Sequence, residues 1–350
     1  MINPQKIIEL FQHSLSFNKP YHVQWFLTRK CNYKCKSCNV WKDQKKEEEL
    51  STEEVKIGID ILRKLGIVEI VFSGGNPLLR NDIGEILAYA SKYFITTIYD
   101  NGSMALKKMD ALRYADFVAI SLDSLDPNKN DYIKGVPGAW KNSMEAITKL
   151  NEEGFLVGVS VTISQMNINE IVNFTKTFVE RKIPVLYCLY SYDLPKKKTF
   201  SIGEKNNEFE FIERDKVAKL CDDLMQLKKE NPGILITNRT LQALKDYFLF
   251  NRRTWTCKAL RNFFIIDHKG RISGCHLKAP VASIFELPEV WDSPKFERLR
   301  EKYSKCQDCG YLCYIFYSIH SNASGTFEII LDQKETIRLI LSKLKRKLTM

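Results

Sequence analysis

Short apolar runs alternate with segments of helical periodicity along the first two thirds of the chain. The apolar, β-rich runs predict strands at residues 22–28, 68–73, 94–100, 116–122, 156–163 and 184–190. Between them, residues 55–65, 139–153 and 167–181 predict helices. Strand–helix–strand units in series predict an α/β fold with a parallel sheet, here an incomplete (β/α)6 barrel. In such folds the active site lies at the carboxyl ends of the strands.

Local signals mark where several of these elements begin and end. Ser51 precedes Glu53 and Glu54, which is typical of a capped helix start, and Gly154 is a typical residue after a helix end. A long helix is predicted at 209–230, and short strands with cysteines replace the earlier pattern from residue 257. We therefore divide the chain into a lead-in with a short helix (1–21), a barrel (22–208), connecting helices (209–256), a cysteine-rich module (257–330) and a terminal helix (331–350).

Composition and charge narrow the range of possible functions. Hydrophobic residues make up 44% and charged residues 27%, which indicates a globular protein with a sizeable core. The net charge of +11 favours acidic partners such as nucleic acid, an anionic lipid surface or a phosphorylated substrate. No basic-aromatic pattern or zinc-finger spacing supports specific nucleic-acid binding. No secretory signal or membrane span is evident, so we expect a cytoplasmic protein.

The ten cysteines fall into groups rather than being spread evenly. Cys31, Cys35 and Cys38 form a C-x3-C-x2-C motif directly after the first predicted strand. Three thiolates on one loop can ligate three irons of a 4Fe–4S cluster and leave the fourth iron open for an exogenous ligand. A zinc site is the alternative, and it would need a fourth ligand.

This motif and its position resemble the radical SAM superfamily. Ser73-Gly74-Gly75-Asn76-Pro77 follows the second predicted strand, where that family carries a Gly-Gly-Glu-Pro type motif for the amino group of S-adenosylmethionine. Two glycines let a backbone approach a ligand. The resemblance implies that the ribose, carboxylate and adenine meet the ends of the later strands, at Asn101, Ser121, Asp123 and Ile163.

Two residues depart from the family pattern. Asn76 replaces the usual acidic residue, and Ser37 replaces a common aromatic residue that packs near adenine. The implied chemistry is reductive cleavage of S-adenosylmethionine to a 5′-deoxyadenosyl radical, which abstracts hydrogen from an unactivated C–H bond. The implied electron donor is a reducing protein such as ferredoxin or flavodoxin.

A second group of cysteines lies near the end of the chain. Its members are Cys257, Cys275, Cys306, Cys309 and Cys313. Residues 263–275 predict a β-hairpin with a turn at Lys269-Gly270. The segment resembles the SPASM or shortened twitch extension, which implies an auxiliary 4Fe–4S cluster.

Four thiolates from two distant segments can close such a cluster and staple a small module. The simplest set is Cys257, Cys275, Cys306 and Cys309, and Cys313 either substitutes for one of these or helps to hold a second cluster. We favour one auxiliary cluster, because a two-cluster SPASM domain usually has more cysteines. Structural zinc is the alternative. Cys188 and Cys221 are predicted to be core residues.

The substrate has several candidates. They are a peptide side chain, a lipid such as an isoprenoid chain, and a small metabolite or tetrapyrrole. In the terminal helix, apolar residues 341, 344 and 348 oppose basic residues 343 and 345–347, a pattern that suits an anionic membrane surface or packing on the barrel. A non-catalytic iron–sulfur carrier or a zinc-stapled binding protein is the alternative of another class. The open-iron spacing and the loop at residues 74–77 argue against it.

Overall fold

The computed structural model describes residues 20–43, 48–191, 203–231, 233–321 and 323–332. The predicted short helix near the amino terminus and the polar stretch at 195–198 lie outside the described residues. The same is true of the terminal helix beyond residue 332, including all of its basic and apolar positions named above. In the described parts of the chain, no helix is both long and apolar enough to cross a membrane.

One open sheet of nine strands runs through the described residues, in the order β6-β5-β4-β3-β2-β1-β7-β8-β9. Its strands are β1 (His22–Thr28), β2 (Glu69–Gly74), β3 (Ile95–Asp100), β4 (Phe117–Ser121), β5 (Val157–Ile163), β6 (Val185–Leu189), β7 (Phe263–Ile266), β8 (Arg271–Ser273) and β9 (Ala282–Ser283). Neighbours from β1 to β6 are parallel. The six predicted strands are therefore confirmed, with ends that differ by one residue at most.

Helices cover the outer side of this sheet. The α-helices are α1 (Thr52–Leu65), α2 (Ile83–Ala90), α3 (Met109–Leu112), α4 (Pro127–Lys134), α5 (Ala139–Glu152), α6 (Ile171–Val179), α7 (Arg214–Glu230), α8 (Asn238–Phe250), α9 (Leu287–Val290), α10 (Pro294–Ser304), α11 (Leu312–Ile319) and α12 (Ala323–Asp332). Short 3-10 helices lie at Val40–Asp43, Pro77–Leu79, Leu106–Lys108, Ile168–Glu170 and Ile284–Glu286.

The predicted helix boundaries are confirmed where the capping signal is strong. The Ser51 hydroxyl accepts from the Glu54 amide at 3.3 Å, and the Glu54 carboxylate accepts from the Ser51 amide at 2.8 Å. These two bonds form a capping box at the start of α1. Two helices are shorter than predicted, since α6 begins only after a 3-10 turn at Ile168–Glu170 and α7 begins at Arg214.

The alternation of side chains along β1 explains how the barrel acquires a polar interior. Val23 and Trp25 are fully buried, and Trp25 packs against Gly58 of α1 on the outer side of the sheet. His22 and Gln24, the alternate residues, line the cavity inside the barrel. The helix-facing side is therefore apolar, and the interior keeps groups that can contact a ligand.

The cysteine-rich segment continues the same sheet. β7 pairs parallel to β1, with Phe263 opposite His22, and β7 and β8 form the predicted hairpin around Gly270. α11 packs on β6, while its Tyr317 stacks on His22 of β1 with ring centroids 3.7 Å apart. α11 thus bridges the two edge strands of the six-stranded parallel part.

Candidate active site

The inner side of the barrel strands encloses a cavity of about 320 Å³. Eight residues predicted for the first site line it, namely Cys31, Cys35, Cys38, Gly74, Gly75, Asn101, Ser121 and Asp123. Asn76, Pro77 and Ile163 are buried and lie outside this lining. The fold therefore brings residues from the loop after β1 and from the ends of β2, β3 and β4 to one place, as the parallel topology predicts.

The loop that carries the three thiols is held on both sides. The Trp41 indole donates to the Cys35 carbonyl at 3.0 Å, and the Lys36 amide donates to the Ile133 carbonyl at 2.9 Å. Gly135, just after α4, adopts a positive φ of 63°, and a Cβ there would lie 2.2 Å from the Lys34 carbonyl oxygen. The end of α4 therefore fixes the cysteine loop, in which Cys31, Cys35 and Cys38 are half-buried residues.

The Gly74-Gly75 segment packs closely against the start of the same loop. The Gly75 amide donates to the Thr28 carbonyl at 2.8 Å, and the Asn76 amide donates to the Lys30 carbonyl at 2.7 Å. A Cβ on Gly75 would lie 2.2 Å from the Lys30 oxygen, so no side chain fits there. The sequence predicts that these glycines let a ligand approach the backbone. In the structure they also let this segment approach the backbone at the end of β1.

The network around Asn76 explains why an amide stands where an acidic residue is usual. Its Nδ2 donates to the Asp100 carboxylate at 2.7 Å, and its Oδ1 accepts from the Leu78 amide at 3.0 Å. The other Asp100 oxygen accepts from the amides of Gly102 and Ala105. Burial raises the pKa of Asp100, and the Asn76 amide opposes that shift. A carboxylate at position 76 would repel Asp100 instead of donating to it.

Lys134 is a site residue that the sequence analysis did not identify. Its ammonium group lies 2.7 Å from both the Ser121 hydroxyl and the Asp123 carboxylate, and it lines the cavity. Burial alone would lower the pKa of Lys134, but Asp123 and Cys35 hold it above its ordinary value. Lysine is usually exposed, so the pattern gave no reason to place it here. The one local signal is its position at the end of α4 before Gly135.

The three thiols fit a cluster that leaves one iron open. Burial raises the pKa of Cys35 to about 12, and Lys134 acts in the opposite direction. Burial also raises the pKa of Cys31. Because metals bind the thiolate form, a positive charge beside these thiols favours ligation. Three thiols on one loop, facing a cavity with polar groups at its wall, are the donor set of a three-cysteine 4Fe–4S cluster.

Four of the later cysteines form a second site. Cys257 precedes β7, Cys275 follows β8, and Cys306 and Cys309 follow α10. Burial raises the pKa of Cys257 to about 11, with smaller contributions from the thiols of Cys309 and Cys306. Burial also raises the pKa of Cys275, with contributions from the other three thiols. The four thiols therefore lie within range of one another's charge.

The spacing of these thiols bears on which group they can hold. Within the described ranges, no three His, Cys, Asp or Glu side chains lie close enough to hold a single metal ion. In a 4Fe–4S cluster each thiolate binds a different iron, so the sulfurs stand further apart than the ligands of one ion. The four thiols fit such a cluster.

Cys313 and Cys188 have a different environment from these four. Both line the barrel cavity. Burial raises the pKa of Cys313, and the nearby Cys188 thiol raises it further. Burial also raises the pKa of Cys188, to about 11. The prediction that Cys188 is a core residue is wrong, because its strand turns it towards the partly open interior. Cys221 is buried on α7, as predicted.

Two family models match the chain. The radical SAM superfamily model matches residues 25–178, and the iron–sulfur cluster-binding domain model, SPASM, matches residues 257–310. The first match covers the cysteine loop and the strand ends, and the second covers Cys257, Cys275, Cys306 and Cys309. The SPASM match favours an iron–sulfur cluster over zinc at the second site.

Similar proteins agree with these matches. Fe-coproporphyrin III synthase of Methanosarcina barkeri is 33% identical over 258 residues, which span 64% of this chain and 63% of that protein. AdoMet-dependent heme synthase of Nitratidesulfovibrio vulgaris is 26% identical over 318 residues, which span 83% of this chain and 84% of that protein.

A solved structure shares the fold. The crystal structure of Streptococcus suis SuiB bound to the precursor peptide SuiA superposes with a TM-score of 0.63 at 18% identity, covering 89% of this chain and 74% of that one. The motif residues, the cavity and both model matches lead to one conclusion. The chain contains a radical SAM domain at residues 25–178 and a SPASM iron–sulfur cluster-binding domain at residues 257–310.

Proposed function

We propose that this protein cleaves S-adenosylmethionine reductively in the barrel cavity and uses the resulting radical on a C–H bond of a substrate. The observation that carries this proposal is that the three loop thiols, the Gly74-Gly75 backbone and the Asp123–Lys134 pair face one cavity. When bound, the cluster and S-adenosylmethionine supply a 5′-deoxyadenosyl radical that abstracts hydrogen from unactivated carbon. The chain holds and orients the reactants and excludes water.

Each lining residue has a proposed role. Cys31, Cys35 and Cys38 each hold one iron and leave the fourth for S-adenosylmethionine. The backbone carbonyls of Gly74 and Gly75 accept from its ammonium group. Asn101, Ser121 and Asp123 contact the ribose and carboxylate, and Lys134 supplies the positive charge that a carboxylate needs. Asn76, Pro77 and Ile163 support these residues from behind the cavity wall.

The second site has an electron-transfer role in this proposal. Cys257, Cys275, Cys306 and Cys309 hold one auxiliary 4Fe–4S cluster, and Cys313 faces the barrel cavity instead. A reducing protein such as ferredoxin or flavodoxin supplies the electron that starts the reaction. The division between barrel and cysteine-rich module at residue 257 remains a proposal, since β7 joins the barrel sheet.

For the substrate we propose an iron tetrapyrrole with carboxylate side chains. The Fe-coproporphyrin III synthase and the AdoMet-dependent heme synthase described above are both named for tetrapyrrole products. A second cavity, of about 290 Å³, lies between the end of β6 and Cys309. Its lining includes the aromatic residues Tyr190, Phe211, Tyr247, Phe248 and Tyr311 together with Arg214. Aromatic faces and a guanidinium suit a flat macrocycle with carboxylates.

The peptide and lipid candidates have less support. SuiB was crystallised with a peptide, but its likeness to this chain concerns the fold alone. The basic terminal helix that suggested a lipid surface lies outside the described residues, so membrane contact remains a prediction.

Substrate-dependent radical formation tests the proposal. Anaerobically reconstituted enzyme with S-adenosylmethionine and dithionite should release 5′-deoxyadenosine. When iron coproporphyrin III is added, its absorption spectrum should shift on binding, and the amount of 5′-deoxyadenosine formed should change. A replacement of Arg214 by Met should weaken that binding. Release of 5′-deoxyadenosine with no spectral response to the porphyrin would leave the radical chemistry intact and overturn the substrate class in favour of a peptide or lipid.

A further inference from the structure

The segment before Cys257 places an arginine directly on the second cysteine site. The Arg253 Nη2 lies 3.0 Å from the Cys309 sulfur, and both Nε and Nη2 donate to the Cys309 carbonyl at 3.1 Å. Its Nη1 donates to the Cys306 carbonyl. One guanidinium therefore contacts two of the four proposed ligands, at the backbone of both and at the sulfur of one.

The charge of this arginine acts on the thiols. Its guanidinium is half-buried and lies 5.2 Å from the centre of the Trp255 ring. Burial alone would lower the pKa of Arg253, but the thiols of Cys309, Cys257 and Cys306 raise it. The Asp308 carboxylate, which is paired with the Lys278 ammonium group at 2.6 Å, raises the pKa of that lysine. The thiols of Cys306 and Cys275 raise it further. Arg253 differs from Lys278 in that its guanidinium hydrogen-bonds directly to the Cys309 sulfur.

Hydrogen bonds to cluster sulfurs and nearby positive charge raise the reduction potential of an iron–sulfur cluster, because they stabilise the added electron. Three nitrogens of the rigid guanidinium also bind the carbonyls of Cys306 and Cys309 at the same time, which the single ammonium group of a lysine cannot reproduce.

We propose that Arg253 is a positioning residue that sets the reduction potential of the auxiliary cluster and makes that cluster a better electron acceptor. This inference rests on the proposed four-cysteine cluster.

A redox titration of the auxiliary cluster tests this role apart from turnover. The full chain with Cys31→Ala, Cys35→Ala and Cys38→Ala isolates the auxiliary signal, and electron paramagnetic resonance follows its reduction. In this background we expect Arg253→Met to lower the reduced-to-oxidised ratio at a fixed solution potential at least tenfold, a negative shift of 59 mV for one electron. Arg253→Lys, which keeps the charge but loses the fork, should fall between Arg253→Met and the parent.

Arg252→Met is the matched control, since it removes the same charge from the adjacent, exposed position. An unchanged potential in Arg253→Met, or an equal shift in Arg252→Met, overturns the inference. If Arg253→Met holds no auxiliary iron, the Arg253→Lys variant decides between the two roles of Arg253. A bound cluster with a lower reduction potential in Arg253→Lys supports the proposed role, whereas loss of the cluster in that variant too shows that Arg253 is purely structural. Absence of any redox signal in the parent, with zinc bound instead, would overturn the proposed cluster itself.

Discussion

The two cysteine sites differ in how the chain assembles them. The first takes three cysteines from one loop of eight residues, and they line a cavity. The second takes four cysteines from three separate segments; Cys257 and Cys275 are buried, Cys306 and Cys309 are half-buried, and an arginine binds the last loop. Three thiols leave one iron of a 4Fe–4S cluster open for an exogenous ligand, whereas four thiols can ligate every iron. The proposed difference in role therefore follows from the number of protein ligands.

The largest expected effect comes from removing one thiol of the second site, and the matched control removes the nearby Cys313 thiol. We expect Cys275→Ala to lose the auxiliary cluster, so that bound iron falls from about eight to about four per chain. Cys313→Ala should keep all of its iron, because Cys313 faces the barrel cavity. Iron and zinc analysis of both proteins measures this. Loss of iron in Cys313→Ala would place Cys313 among the ligands.

The buried ion pair at the first site gives the next effect. Lys134→Met leaves the Asp123 carboxylate uncompensated, which costs about 3–5 kcal/mol of folding free energy for a buried pair; both side chains are at most 5% exposed. Urea denaturation measures the loss. The double variant Asp123→Asn/Lys134→Met removes both charges and should recover part of it. A double variant no more stable than Lys134→Met would show that the pair does not act through charge.

A pair of glycines tests how α4 supports the cysteine loop. Gly135 and Gly154 have similar positive φ angles, of 63° and 78°, but only Gly135 approaches another part of the chain. An alanine with left-handed backbone costs about 1–2 kcal/mol at either position. We expect Gly135→Ala also to displace the loop and lower the iron content of the first site severalfold, while Gly154→Ala keeps it. Equal iron in the two variants would mean that α4 does not fix the loop.

A further effect on stability concerns the Asn76–Asp100 pair. Asn76→Asp turns the donor into a second buried carboxylate, and the lost bond costs about 1–3 kcal/mol. Adding Asp100→Asn restores one donor and one acceptor, since an amide at position 100 can donate to the new carboxylate and still accept from Gly102 and Ala105. Thermal unfolding of the single and double variants should show partial rescue. A double variant less stable than both singles would contradict this assignment of donors and acceptors.

The sequence predicted what depends on local pattern. The strands follow from apolar periodicity, and their parallel order places Gly74, Asn101, Ser121 and Asp123 at one edge. The C-x3-C-x2-C loop is contiguous, so its spacing alone identifies the first site. The ligand set of the second site was predicted as the simplest combination, and the structure brings those four thiols together.

The residues that were missed depend on tertiary contacts. Lys134 enters the site because α4 ends beside the cysteine loop, and Arg253 reaches Cys309 across a gap of 56 residues in sequence. Cys188 faces the cavity from β6, and Cys313 reaches it because α11 packs on β6. No periodicity in the chain encodes these approaches.

The central claim is that the Cys31, Cys35 and Cys38 site performs the chemistry and the second site does not. Its most direct test is 5′-deoxyadenosine release, measured with iron content, in the wild type and in the triple variant with alanine at those three positions. The account predicts that the triple variant keeps about four irons at the auxiliary site and releases no 5′-deoxyadenosine above background. Undiminished release by the triple variant would contradict the account.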